Sequence, residues 1–203
     1  MLKIETKVGS ATSPTPDGGI ILIPHICNTK GGWGSGFVLA VSALSKAPEN
    51  AYRAWAKEGK LELGSTQFVE AKPGVIIANM IAQDGYAGDH ADGVAVDYEA
   101  LEKCLKTVFE RAYRLGADVH LPAGMGSGLA GGDRSAILGI IGSVTETISK
   151  QFSTNIVSFP FNLHITLWEF VDTTSASYIP AKKSPTPDDT GAAIESDDLA
   201  ELG

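Results

Sequence analysis

The sequence predicts a three-layer α/β sandwich built around a mostly parallel, mixed central sheet. Three observations carry that prediction. Short apolar runs alternate with helix-like segments along most of the chain, the pattern of βα units. Two glycine-rich turns, His25–Gly36 and Leu121–Asp133, each leave an apolar run and lead into a helical pattern. The chain is also long and apolar enough to fill such a core, with 203 residues of which 43% are hydrophobic.

The elements follow in order. Leu2 to Val8 alternates apolar and polar residues and reads as a strand. Ser13–Gly19 is a Pro/Gly turn cluster. Ile20 to Ile26 is a continuous apolar run, as in a parallel strand buried on both faces. Phe37 to Leu44 and Ala51 to Glu58 have helical spacing, the second preceded by Pro48 and Asn50. Thr66 to Glu70 and Gly74 to Met80 read as a strand pair joined at Lys72-Pro73-Gly74, and Gly85–Gly93 as a surface loop. Tyr98 to Leu115 is a helix with Leu101, Leu105, Val108, Ala112 and Leu115 on one face and Gly116 as its C-cap. Asp118 to Leu121 is a strand, Ser135 to Lys150 a helix and Ile165 to Phe170 a last strand, while residues 152–163 form an unassigned connection. From Asp172 the chain is rich in Ser, Thr, Pro, Ala and Asp and ends acidic, the composition of a disordered tail. The division is therefore a domain over 1–171 and a tail over 172–203.

Composition narrows the function. A net charge of −8 with no basic stripe argues against general nucleic-acid binding. No apolar run approaches a membrane span and no secretory leader is visible at the start. Two cysteines, Cys27 and Cys104, lie far apart and read as reduced thiols of a cytoplasmic protein, monomeric by default. A phosphate ligand stays compatible with the negative charge, because backbone N–H groups carry no formal charge. Glycine loops that open onto helices present such groups, and two loops in one domain suggest a diphosphate held from two sides. Gly126-x-Gly128-x-x-Gly131 matches the dinucleotide fingerprint, but late in the chain, and Glu146 falls inside a helix. A Walker A loop is excluded, since no Gly-Lys-Ser/Thr follows.

Several side chains near these loops have two readings each. His25 is a general acid or base, or a hydrogen-bonded core histidine. Asp133 orients a water, or caps the next helix. Asn28 contacts a ligand, or caps its loop. Trp33, in a glycine loop, covers a ligand rather than joining the core, Phe37 covers a ligand or joins the core, and Tyr86 stacks on the ligand or is merely exposed. Asp89, His90 and Asp92 have loose metal-ligand chemistry but match no standard spacing, so a solvated acidic loop is the better reading and no metal or other cofactor is expected.

Four stretches together resemble the macro domain, an ADP-ribose-binding α/β/α module: Ile23–Asn28, Gly31–Phe37, Ala78–Gln83 and Gly126–Gly132. The resemblance runs from about residue 1 to 170 and is nearest to the small bacterial and phage branch related to yeast-type ADP-ribose-1″-phosphate phosphatases. It implies that Gly32, Trp33, Gly34, Ser35, Gly36 and Phe37 close one side of the ligand. Gly126, Ser127, Gly128, Leu129, Ala130, Gly131 and Gly132 would wrap the diphosphate and distal ribose, with Asn28 on that ribose. Ser10 and Ala11 fall at the base-binding turn, where the family often has Gly-Asp-Ala-Thr with the aspartate on the adenine amine; here it is Gly9-Ser10-Ala11-Thr12. Gln83 stands roughly where one branch carries a nucleophilic lysine. The implied activity is hydrolysis of the terminal phosphate of ADP-ribose 1″-phosphate, with His25 and Asp133 handling protons and water. The alternatives are removal of ADP-ribose from protein or nucleic acid, and a non-enzymatic ADP-ribose reader or sponge. The implied setting is a cytoplasm, that of a host if the chain is viral.

Overall fold

A computed structural model describes residues 3–13, 19–153 and 163–170. Six strands form one sheet: β1 (Lys3–Val8), β2 (Ile21–Asn28), β3 (Thr66–Lys72), β4 (Val75–Gln83), β5 (Asp118–Pro122) and β6 (His164–Glu169). Their order is β1-β6-β5-β2-β4-β3. All neighbours are parallel except the hairpin partners β3 and β4. Four helices complete the fold: α1 (Phe37–Leu44), α2 (Ala47–Lys57), α3 (Tyr98–Leu115) and α4 (Arg134–Ser153).

Two apolar cores sandwich the sheet. On one face α3 and α4 bring Leu101, Leu105, Val108, Ile137 and Ile141 against Leu22, Met80, Leu121 and Ile165. On the other, α1 and α2 bring Val38, Val41 and Tyr52 against Ile21, Ile23, Ile77 and Ile81. Alternate residues of β2 and β4 thus serve opposite cores, which is why these strands read as unbroken apolar runs. The three-layer architecture and the mixed, mostly parallel sheet are as the sequence predicts.

Some boundaries differ. α2 starts at Ala47, one turn earlier than the periodicity suggests, because Pro48 sits in the first turn, where a missing N–H costs nothing. β2 and β4 run past Ile26 and Met80 to Asn28 and Gln83. The 85–93 loop contains a short 3-10 turn, Ala87–Asp89. α3 follows the expected span, with Asp97 accepting from the Ala100 N–H at its start and Gly116 in the left-handed region at its end. Most of the unassigned 152–163 connection and the tail from Asp172 lie outside the described residues. Among the described residues no helix is long and apolar enough to cross a membrane.

Candidate functional site

The carboxyl ends of β1, β2, β4, β5 and β6 open on one edge of the sheet, the place where ligands of parallel sheets bind. Three cavities lie there with shared walls. A middle one of about 250 Å³ is lined by His25, Ile26, Ser35–Val38, Gln83 and the second glycine loop at Gly124–Gly126 and Gly128–Ala130. It shares Gly36, Phe37, Pro122 and Gly124 with a larger cavity of about 500 Å³, whose walls include Ser10, Ala11, Arg134, Trp168 and Glu169. On its other side it shares Ile26, Ser35, Val38, Gln83 and Leu129 with a third of about 330 Å³, which reaches Asn28, Gly32–Gly34 and Tyr86. The row suits an elongated ligand with two ends and a centre.

Side chains build the first loop. Asn28 Oδ1 accepts from the backbone N–H of Lys30 and Gly32, both at 3.0 Å, while its Nδ2 donates to Gly32 O at 2.8 Å. The Tyr52 hydroxyl donates to Asn28 O at 2.6 Å from beneath. The Tyr86 hydroxyl closes over Gly32, where a Cβ would fall 2.1 Å from it and the tyrosine would have to swing aside. Trp33 departs from the expectation of an open ligand cover. It is 7% exposed and packs at 5.3 Å, edge to face, on His25. Its Nε1 donates to Ser42 Oγ, which donates to Glu49, both at 2.8 Å. Ser42, Lys46 and Arg53 together hold the Glu49 carboxyl down to about 2, and Arg53 also donates to Trp33 O. Trp33 therefore belongs to the core, with part of its surface on the third cavity.

The second loop is held by its own backbone. Met125 N–H donates to Pro122 O, Ser127 N–H to Gly124 O, Gly131 N–H to Gly128 O and Gly132 N–H to Gly126 O. Its glycines have two different jobs. Gly126 and Gly128 line the middle cavity. Gly131 lines none of the three; at φ +71° its missing Cβ leaves room for Gly93 O, which a Cβ would approach to 2.1 Å. Gly132 and Ser127 also stay off the cavity walls, Gly132 being buried and Ser127 Oγ donating to Gly124 O at 3.2 Å. Of the Gly126–Gly132 run, Gly126, Gly128, Leu129 and Ala130 line the middle cavity, while its end packs on the 93–95 segment.

His25 lines the middle cavity yet is 1% exposed. Its Nε2 lies 2.7 Å from Asn79 Oδ1. Asn79 Nδ2 donates to Pro48 O and Gln67 Oε1, both at 3.1 Å, so its oxygen faces the ring and Nε2 carries the hydrogen. Burial outweighs these hydrogen bonds and lowers the imidazole from 6.5 to about 4, so the ring is neutral near pH 7. Asp133 departs from the role of orienting water. Its Oδ1 accepts from Ala136 N–H at 2.7 Å, capping α4, and it lines none of the three cavities. The acidic loop is likewise spent on structure: Asp89 pairs with Lys30 at 2.8 Å, Asp92 accepts from Val94 N–H, and His90 Nε2 meets Asp84 O.

Sequence reasoning passed over Ile26, Val38, Pro122, Gly124, Arg134, Trp168, Glu169 and Phe170 as cavity walls. Position at a strand's carboxyl end was the available signal for Pro122, Trp168 and Glu169.

No protein-family model and no curated protein matches the chain. Solved structures do. A protein of unknown function from Bacteroides thetaiotaomicron is 37% identical, over 83% of this chain and 98% of that one, with a TM-score of 0.70. A macrodomain protein from Streptomyces coelicolor is also 37% identical, over 82% of this chain and 98% of that one, at 0.64. The Trypanosoma brucei macrodomain in complex with ADP-ribose shares the fold at 15% identity, over 82% of this chain and 63% of that one, at 0.54. With that identity to the Streptomyces protein along nearly its whole length, and the fold shared with it, the chain belongs to the macrodomain family.

Proposed function

We propose that the chain binds ADP-ribose or a close derivative along the row of three cavities. The observation that carries this reading is the continuity of the row: an aromatic-walled cavity, a glycine-lined centre and a polar end, sharing walls. The base would occupy the largest cavity, among Phe37, Trp168 and Phe170. The diphosphate would lie in the middle, between the second loop and the start of α1, where a helix has unpaired N–H groups. The distal ribose would reach Asn28, Gly32 and Gln83. A macrodomain of the same fold has been solved in complex with ADP-ribose, which supports ADP-ribose as the class of ligand.

Hydrolysis of ADP-ribose 1″-phosphate is the finer reading of the same cleft. Water attacks phosphorus, the bond from phosphorus to the 1″ oxygen breaks, and ADP-ribose and inorganic phosphate leave. Loop N–H groups would stabilise charge gathering on the phosphoryl oxygens. A neutral His25 on the middle cavity supports a role for that ring, though its Nε2 hydrogen is committed to Asn79. Asp133 has no part in this version.

Calorimetric titration with ADP-ribose, followed by incubation with ADP-ribose 1″-phosphate and assay of free phosphate, tests both levels. Binding near micromolar, about −8 kcal/mol, with phosphate release lost in His25→Ala, is the expected result. Binding without release would reduce the function to that of a reader or an enzyme acting on another ADP-ribose linkage. Absence of binding would refute the reading altogether.

A further inference from the structure

The largest of the three cavities lacks the carboxylate that the family often places on the adenine amine, because Ser10 stands there. Ser10 does not replace it. Its Oγ lies 2.9 Å from Thr12 Oγ1 and accepts from Thr12 N–H at 3.3 Å, so the hydroxyl serves its own turn. Yet among the described residues lining this cavity there is one carboxylate, Glu169. It comes from β6, the strand paired with β1. Parallel pairing sets Val8 beside Glu169, and Gly9 N–H donates to Glu169 O at 3.0 Å, which fixes the end of β6 against the Gly9–Ala11 turn. The Arg134 guanidinium, at the start of α4 and also on the cavity wall, donates to Glu169 Oε1. Among the described residues no hydrogen-bond partner is seen for the second carboxylate oxygen.

We propose that Glu169, positioned by Arg134, reads the amino group of the purine base in place of the missing aspartate. The inference rests on the ADP-ribose reading above. A carboxylate accepts from an amine but repels a ring carbonyl, so it separates adenine from hypoxanthine. The aromatic walls hold the ring by stacking and tolerate either base. Selectivity therefore resides in one side chain of the last strand. Arg134 acts through Glu169 by restricting its rotamers, not by touching the base.

The test compares affinities for ADP-ribose and its inosine counterpart by calorimetry. The wild type should prefer adenine by at least about tenfold. E169A should bring the preference to within about threefold, and S10D in the E169A background should restore it. E169Q, whose amide can donate to a carbonyl, should move the preference toward inosine. R134A should lower the preference while leaving it measurable. Unchanged preference in E169A, or none in the wild type while ADP-ribose still binds, overturns this proposal alone. Failure of the wild type to bind ADP-ribose overturns the proposed function and this assignment with it. Thermal unfolding of each variant checks that the fold is intact.

Discussion

The two glycine loops face the same cavity but are built on different principles. The first is tied down by side chains: Asn28 at the end of β2, Tyr52 from α2 and the Ser42–Glu49 pair below Trp33. The second is tied largely by its own backbone, and its glycines serve the cavity (Gly128), packing (Gly131) or both (Gly126). Equal glycine content thus conceals unequal dependence. Loss of a polar side chain should loosen the first loop, whereas addition of a methyl group should damage the second only where the backbone is crowded.

The largest expected effect is at Gly131. Alanine there meets both a positive φ of +71° and Gly93 O at 2.1 Å, and the clashing partner is backbone. Gly131→Ala should cost about 3 kcal/mol or more of stability, measured by denaturant unfolding. A cost under about 1 kcal/mol would break the division of labour among these glycines.

Next comes His25, beneath the first loop. Its imidazole is lowered from 6.5 to about 4 by burial. Between those values the unfolded chain takes up a proton that the folded chain refuses. This group's contribution is therefore complete above pH 6.5 and falls as the pH drops toward 4, by a total of about 3 kcal/mol. His25→Gln should flatten the stability profile in that window, and an unchanged slope would remove His25 from the account of acid lability.

Asn28→Ala should come third. It strands the N–H groups of Lys30 and Gly32, costs about 2 kcal/mol and weakens ADP-ribose binding by roughly tenfold or more. The smallest stability effect belongs to Gly128→Ala, whose Cβ meets nothing within 4 Å. Stability should stay within about 0.5 kcal/mol of wild type while ADP-ribose affinity falls, since that methyl group would enter the ligand's space.

What the sequence revealed follows from how local each cause is. Asp97 and Gly116 bracket α3 within the element itself, so its limits were readable. The glycine loops were readable because glycine runs have few other uses. The burial of Trp33 was not, since its partners Ser42 and Glu49 lie on later helices and only folding aligns them. Gly131 looked ligand-facing for the same reason: Gly93 O, which demands it, is remote in sequence. Asp133 satisfies the local rule for a helix cap, and the structure follows that rule rather than the catalytic alternative. Glu169 carries no local signal at all; its place beside Ser10 is set by the pairing of the first and last strands.

The central claim is that one ligand engages both loops at once. The most direct test is a two-dimensional amide NMR titration of the protein with ADP-ribose. Saturable shifts are expected in both clusters, residues 32–38 and 124–130, with a common dissociation constant. Shifts confined to a single loop, or in neither, would contradict it.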